Sequence, residues 1–99
     1  MPAYAVGFMK VRDPSWQAEY RDRLPAVLAR YQGRVLASGG GHRPLEGEPP
    51  APDLAIIIEF PGMDEARKWY ADAENAELVK LRQTGSTLDL ILIPGKEAR

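Results

Sequence analysis

The sequence predicts an α+β protein in which helices cover one face of a four-stranded antiparallel sheet, in the order β, α, β, β, α, β. Three observations lead there. The run Leu54-Ala55-Ile56-Ile57-Ile58-Glu59-Phe60, closed by Pro52-Asp53 before it and Pro61-Gly62 after it, reads as a buried strand. Two longer stretches, one on each side of that run, carry apolar residues at helical spacing. The remaining apolar segments, near both ends and just before a glycine- and proline-rich connection, are short and strand-like. This succession is the split βαβ or ferredoxin-like arrangement, with the first and third strands in the middle of the sheet and right-handed crossovers placing both helices on one side.

Taken in order, Ala3 to Val11 alternates as a first strand, and Gly7 within it marks a bulge or a place where something packs close to the backbone. Arg12-Asp13-Pro14-Ser15 starts a helix, with Asp13 able to cap free N–H groups and Pro14 suited to the first helical position. Trp16, Tyr20, Leu24, Val27, Leu28 and Tyr31 share one helical face, which ends at Gln32-Gly33. Pro25 lies inside this pattern, where proline costs about 3 kcal/mol in a regular helix. The stripe keeps its phase across it, so a kink or local bulge is expected, not two helices. Arg34 to Ser38 is a short second strand. Gly39-Gly40-Gly41-His42-Arg43-Pro44-Leu45-Glu46-Gly47 and the following Glu48-Pro49-Pro50-Ala51-Pro52 form a long loop, of a kind that is uncommon in small domains and often functional.

After Pro61-Gly62, Met63-Asp64-Glu65-Ala66 opens the second helical region with acids at the positive end of the helix dipole. Met63, Ala66, Trp69 and Tyr70 make its inner face. Ala71-Asp72-Ala73 interrupts it, helical character resumes through Leu78, Leu81 and Arg82, and Gly85 stops it. Thr87 to Ile93 is the last strand, closed by Pro94-Gly95. Residues 1–95 are thus expected to form a single domain and residues 96–99 a polar tail.

Only one sheet face has helices to cover it. On grounds of bulk, Leu54, Ile56, Ile58 and Phe60 with Val6 and Phe8 are assigned to the helix side. Ala5, Gly7, Met9, Ile57, Glu59, Asp89, Ile91 and Ile93 are then left on the open side. Covering a buried aliphatic side chain is worth about 1.5–3 kcal/mol, so a homodimer through the open sheet face is expected, two sheets forming a barrel-like pair. The alternative is a monomer that tolerates an exposed sheet.

Composition excludes several function classes. The chain has 99 residues, 13 Lys and Arg against 14 Asp and Glu, and a net charge of -1, which argues against a nucleic-acid partner. It has no cysteine and one histidine, so thiolate metal sites, disulfides and cysteine nucleophiles are excluded. No Asp/Glu spacing resembles a calcium loop, and neither a metal nor a cofactor is expected. Gly39-Gly40-Gly41 lacks the Lys-Ser/Thr of a phosphate-binding loop. With no signal-like N-terminus and no apolar run near the ~20 residues needed to span a bilayer, a cytoplasmic protein with no membrane partner is expected.

Tyr31-Gln32-Gly33-Arg34-Val35-Leu36-Ala37-Ser38-Gly39-Gly40, then His42, Leu45-Glu46-Gly47, Ile58-Glu59-Phe60-Pro61 and Trp69-Tyr70 together resemble the family called domain of unknown function 1330. The likeness runs from the first strand to Pro94-Gly95. It implies membership of the dimeric α+β-barrel superfamily, which includes cofactor-free monooxygenases, lactone isomerases and haem enzymes and uses the cleft between sheet and helices for small molecules. At one place the chain departs from the family: Asp72-Ala73-Glu74-Asn75 stands where Ser-Pro-Glu-Tyr is common.

The candidate catalytic residue is His42, histidine being the residue type suited to proton transfer near neutral pH, and it follows three glycines that allow close approach of backbone to a ligand. A locally hydrogen-bonded loop histidine is the competing reading, and haem ligation by His42 is disfavoured because haem enzymes of that superfamily are usually larger. Arg34, Arg43 and Arg82 are candidate anion-binding residues, since guanidinium forks match carboxylates, although Arg82 equally suits a helix C-terminus. Trp69, with Trp16, Tyr20 and Tyr70, is a candidate wall of an aromatic pocket or else core. Glu59 and Asp89 share a face but should lie too far apart to act as a pair. The expected function is binding or transformation of a small aromatic or carboxylate-bearing metabolite in a cleft near His42, Arg34 and Trp69. A non-catalytic dimeric module is the alternative.

Overall fold

The computed structural model describes residues 1–96. Four strands, β1 (Ala3–Val11), β2 (Arg34–Gly39), β3 (Leu54–Phe60) and β4 (Ser86–Pro94), form one antiparallel sheet in the order β2-β3-β1-β4. Three helices, α1 (Gln17–Ala29), α2 (Met63–Ala71) and α3 (Ala73–Gln83), complete the α+β ferredoxin-like arrangement. The polar tail expected at residues 96–99 lies, beyond Lys96, outside the described residues.

Local chemistry sets the helix boundaries. The Asp13 carboxylate accepts from the Ser15 N–H and caps a 3₁₀ turn, Pro14–Trp16, that leads into α1. α1 runs unbroken through Pro25. At its end the Gly33 N–H donates to the Leu28 carbonyl and the Gln32 N–H to that of Ala29, the paired bonds of a Schellman closure. The left-handed residue there is Gln32, φ 57°, and not Gly33. Gly33 is required for a different reason: a Cβ on it would fall 2.6 Å from the Phe60 ring. α2 and α3 are separated by Asp72, whose extended backbone breaks the helix and whose carboxylate accepts from the N–H groups of Glu74 and Asn75.

Strand register corrects the expected assignment of one strand to its faces. Residues directly opposite in an antiparallel pair project from the same face, and Ala5 opposes Ile58 while Gly7 opposes both Ile56 and Leu90. Ala3, Ala5, Gly7 and Met9 therefore lie under the helices, and Val6 and Phe8 lie on the open face, the reverse of the expectation from bulk. The reason is space: Phe60, Ile58 and Ile56 on one side and Leu88, Leu90 and Leu92 on the other already fill the layer between sheet and helices. A Cβ on Gly7 would meet Leu88 at 2.9 Å, Ile56 at 3.0 Å and Leu90 at 3.1 Å. Gly7 thus serves close packing, and no bulge interrupts β1. The irregularity falls instead in β2, between Val35 and Ala37.

The core joins Ala3, Ala5, Ile58 and Phe60 of the sheet to Leu24, Val27, Leu28, Ala66, Trp69 and Leu78 of the helices. The open face carries Val6, Phe8, Ile57, Ile91 and Ile93, with Ile91 at 57% and Ile93 at 45% of full exposure. The molecule measures 41 × 38 × 17 Å, the thickness of one sheet and one helix layer. The loop from Gly40 to Asp53 is tied down at its far end, where the Asp53 N–H donates to the Met9 carbonyl and the Asp53 carboxylate accepts from the Val11 N–H. Among the described residues no helix is long and apolar enough to cross a membrane.

Candidate functional site

A cleft of about 610 Å³ opens between α1 and the β2–β3 side of the sheet. Its helix wall comes from Trp16, Gln17, Tyr20, Arg21, Leu24 and Pro25, and its sheet wall from Met9, Leu54, Ile56, Val35, Ser38 and Gly39. The sequence builds it in two ways. Helical spacing puts Trp16, at the end of the 3₁₀ turn, in line with Tyr20 and Leu24 on the face of α1 that meets the sheet. Pro25 has no N–H, so the Arg21 carbonyl is left without its usual partner four residues on, at a point where both residues border the cleft. Trp16 stands edge-on to Tyr20, ring centres 5.4 Å apart, which fixes both aromatics in the wall. The lining is mainly apolar with a few polar groups, the composition expected of a small-molecule site.

A second cavity, about 410 Å³, lies between α2 and β4 and is bordered by Ala5, Arg67, Trp69, Tyr70, Leu90 and Leu92. Trp69 is buried, tilted against Phe60 at 5.2 Å and edge-on to Tyr70 at 5.8 Å, so it serves the core as well as this second cavity. Its indole N–H has no hydrogen-bond partner.

The candidate site residues are dispersed. Arg34 borders the first cleft, but its guanidinium is committed on the open face, where Nε and Nη2 each lie 2.8 Å from the Glu59 carboxylate. Tyr4 donates to the other oxygen of that carboxylate at 3.2 Å, and this bond raises the Tyr4 hydroxyl above its ordinary pKa. His42 and Arg43 stand exposed on the loop beyond β2 and border neither cavity. Arg82 is buried at the end of α3, on the helix side of the sheet, beside the Tyr20 hydroxyl. Arg34, Arg43 and Arg82 therefore do not form one anion-binding group. Glu59 and Asp89 oppose Tyr4 and Phe8, four residues apart on β1 and hence about 13 Å along the strand. Burial pushes the Tyr20 hydroxyl pKa up, and Arg82 beside it acts in the opposite direction. Among the described residues no cluster of His, Cys, Asp or Glu is arranged to hold a metal ion. Sequence reasoning did not reach Met9, Arg21 or Leu54 as cleft residues. The one signal that pointed there was Pro25, a helix-breaking residue inside a helical stripe.

The comparisons with known proteins agree with this architecture. A family model described as Domain of unknown function (DUF1330) matches residues 2–96. No curated protein matches the chain. Among solved structures, a protein of unknown function from Rhodopseudomonas palustris shares 22% identity, covering 98% of this chain and 84% of that one, with a TM-score of 0.76. SnoaB, a cofactor-independent oxygenase from Streptomyces nogalater, shares 17% identity over 98% of this chain and 95% of its own, with a TM-score of 0.65. A dimeric protein of unknown function and ferredoxin-like fold from Bacteroides fragilis shares 13% identity over 95% of this chain and 96% of its own, TM-score 0.64. At these identities the likeness shows the fold.

Proposed function

The chain belongs to the family called domain of unknown function 1330, and from that premise we propose that it is a homodimeric α+β-barrel protein that binds a small aromatic or carboxylate-bearing metabolite between α1 and the sheet. The observation that carries the reading is the cleft itself: about 610 Å³, walled by Trp16, Tyr20, Leu24, Met9, Leu54 and Ile56. A cavity of that size in a 99-residue protein leaves apolar side chains without contacts that a filled core would supply. A ligand with an apolar body restores them. Dimerisation through the open sheet faces covers Val6, Phe8, Ile57, Ile91 and Ile93, and the dimeric Bacteroides fragilis neighbour supports that assembly. Another neighbour, SnoaB, is a cofactor-independent oxygenase, which supports a role in small-molecule chemistry.

The competing reading is a dimeric module without chemistry, and it draws on His42, which stands exposed outside both cavities. A thermal-shift screen of small organic acids and aromatics separates the two. The ligand reading expects at least one compound to raise Tm in the wild type and to lose its effect in Val35→Trp, where the new ring fills the cleft. A broad screen without a hit, or hits indifferent to Val35→Trp, overturns it. If His42 takes part, His42→Ala also reduces the shift.

A further inference from the structure

The residues around the larger cleft sort by depth. Met9, Trp16, Leu24 and Leu28 are buried and make an apolar floor, whereas Arg21, Arg34 and Ser38 are exposed and belong to its rim. Charge enters only at that rim, and it is of one sign. No acidic residue lines the cleft, although the chain has 14 acids, and the two charged residues that do are Arg21 and Arg34.

The two arginines differ in what holds them. Arg34 is matched by the Glu59 carboxylate, 2.8 Å from both Nε and Nη2. Arg21 has no carboxylate within ion-pair distance among the described residues. Its Nη2 donates instead to the neutral Gln17 Oε1 at 3.1 Å. Gln17 itself borders the cleft, so this bond sets the guanidinium head beside the opening. Other arginines show the contrast. Arg23, on the same helix but not bordering the cleft, lies 3.2, 3.7 and 3.1 Å from Glu19, Glu74 and Glu77. Arg67, at the second cavity, is met by Asp64 at 3.4 Å. At the cleft rim, Arg21 is left with a neutral partner and a charge still to be matched.

We infer that Arg21 is the anion anchor of the cleft, and that the ligand is a carboxylic acid bound head outward. Its carboxylate meets the Arg21 guanidinium at the rim, and its apolar body lies on the floor against Met9, Leu24 and Leu28. One N–H of the guanidinium serves Gln17, which leaves others to accept a carboxylate in the paired geometry that the fork favours. The reverse orientation would press a charged group against aliphatic side chains, at a large desolvation cost. A phosphate dianion would bring a second charge to a rim whose other lining cation is already neutralised by Glu59. The inference rests on the ligand-binding reading of the cleft and narrows it to a chemical class and an orientation.

Paired probes test it: 2-naphthoate and octanoate, each against its primary amide, titrated into the wild type and followed by calorimetry. At least one acid is expected to bind about five times tighter than its amide, the gain open to a solvent-exposed charge pair. That margin is expected to shrink at about 0.5 M salt, which screens the pair and not the apolar contacts. Arg21→Gln, a change at an exposed position, is expected to abolish the preference and leave the amide's affinity unchanged. Gln17→Glu, which supplies Arg21 with a carboxylate from its own helix, is expected to do the same. Val35→Trp is expected to weaken acid and amide alike. Acids and amides that bind equally to the wild type, or a preference that survives Arg21→Gln, overturn the anchor and leave the cleft reading standing. Acid and amide binding that is indifferent to Val35→Trp lies outside the cleft and overturns both. If no probe of either kind binds, both the cleft reading and this inference fail.

Discussion

Asp72 shows how much one side chain can organise. It caps α3, accepts the Tyr31 hydroxyl at 2.6 Å and faces Arg30 at 3.3 Å, so it joins the end of α1 to the start of α3. The Tyr31 bond, foremost, and the backbone N–H groups of Asn75 and Glu74 hold its carboxyl below the usual range. A carboxyl whose folded pKa is depressed adds stability above its unfolded value, near 3.9, and loses it as pH falls through the folded value. Wild-type unfolding free energy should therefore drop as pH is lowered below about 4. Asp72→Asn, which keeps a capping side chain and removes the charge, should lack that part of the drop, so that the two proteins converge in acid. Urea unfolding at a series of pH values measures this, and parallel curves would contradict it. Of these links the sequence showed only the helix interruption at Ala71-Asp72-Ala73, because Tyr31 and Arg30 reach Asp72 through tertiary packing. Gly85 is similar. It reads as a helix stop, yet a Cβ there would overlap the Asp13 carbonyl and press on Trp16 at 2.7 Å, contacts visible only once the fold is known.

At the level of elements, strand alternation was legible and strand facing was not. The alternation of Ala3 to Val11 is plain, but choosing its inner face by bulk reversed it, because the middle strand must be lined with small residues when both neighbours are lined with large ones. That rule belongs to the sheet as a whole, and no single strand displays it. Pro25 was legible as a conflict between pattern and propensity, and such conflicts often fall at functional sites. α1 absorbs it without ending, at the edge of the cleft. Restoring the backbone bond by Pro25→Ala should raise stability by about 1–2 kcal/mol, less than the full proline penalty because proline also restricts the unfolded chain. It should also weaken binding of any ligand that uses the Arg21 carbonyl. Chemical denaturation and calorimetry of the same variant check the two effects, and a destabilised Pro25→Ala would show that the proline relieves strain here.

On the scale of the whole molecule, the order of elements was enough to give the topology, since short connections and right-handed crossovers leave few alternatives. It was also enough to show that one sheet face lacks cover. The clefts were not legible, because their walls join residues as distant in sequence as Met9, Tyr20 and Leu54. What governs the molecule as a unit is its 17 Å thickness: two layers, with Val6, Phe8, Ile57, Ile91 and Ile93 facing outward beside the polar Tyr4–Glu59–Arg34 group and Asp89. Burying such side chains at about 1.5–3 kcal/mol each makes a second copy the natural cover. Light scattering coupled to size exclusion at micromolar concentration tests this most directly. A mass near twice the 11.0 kDa of one chain is predicted, and a cooperatively folded protein that elutes at the mass of a single chain would contradict it.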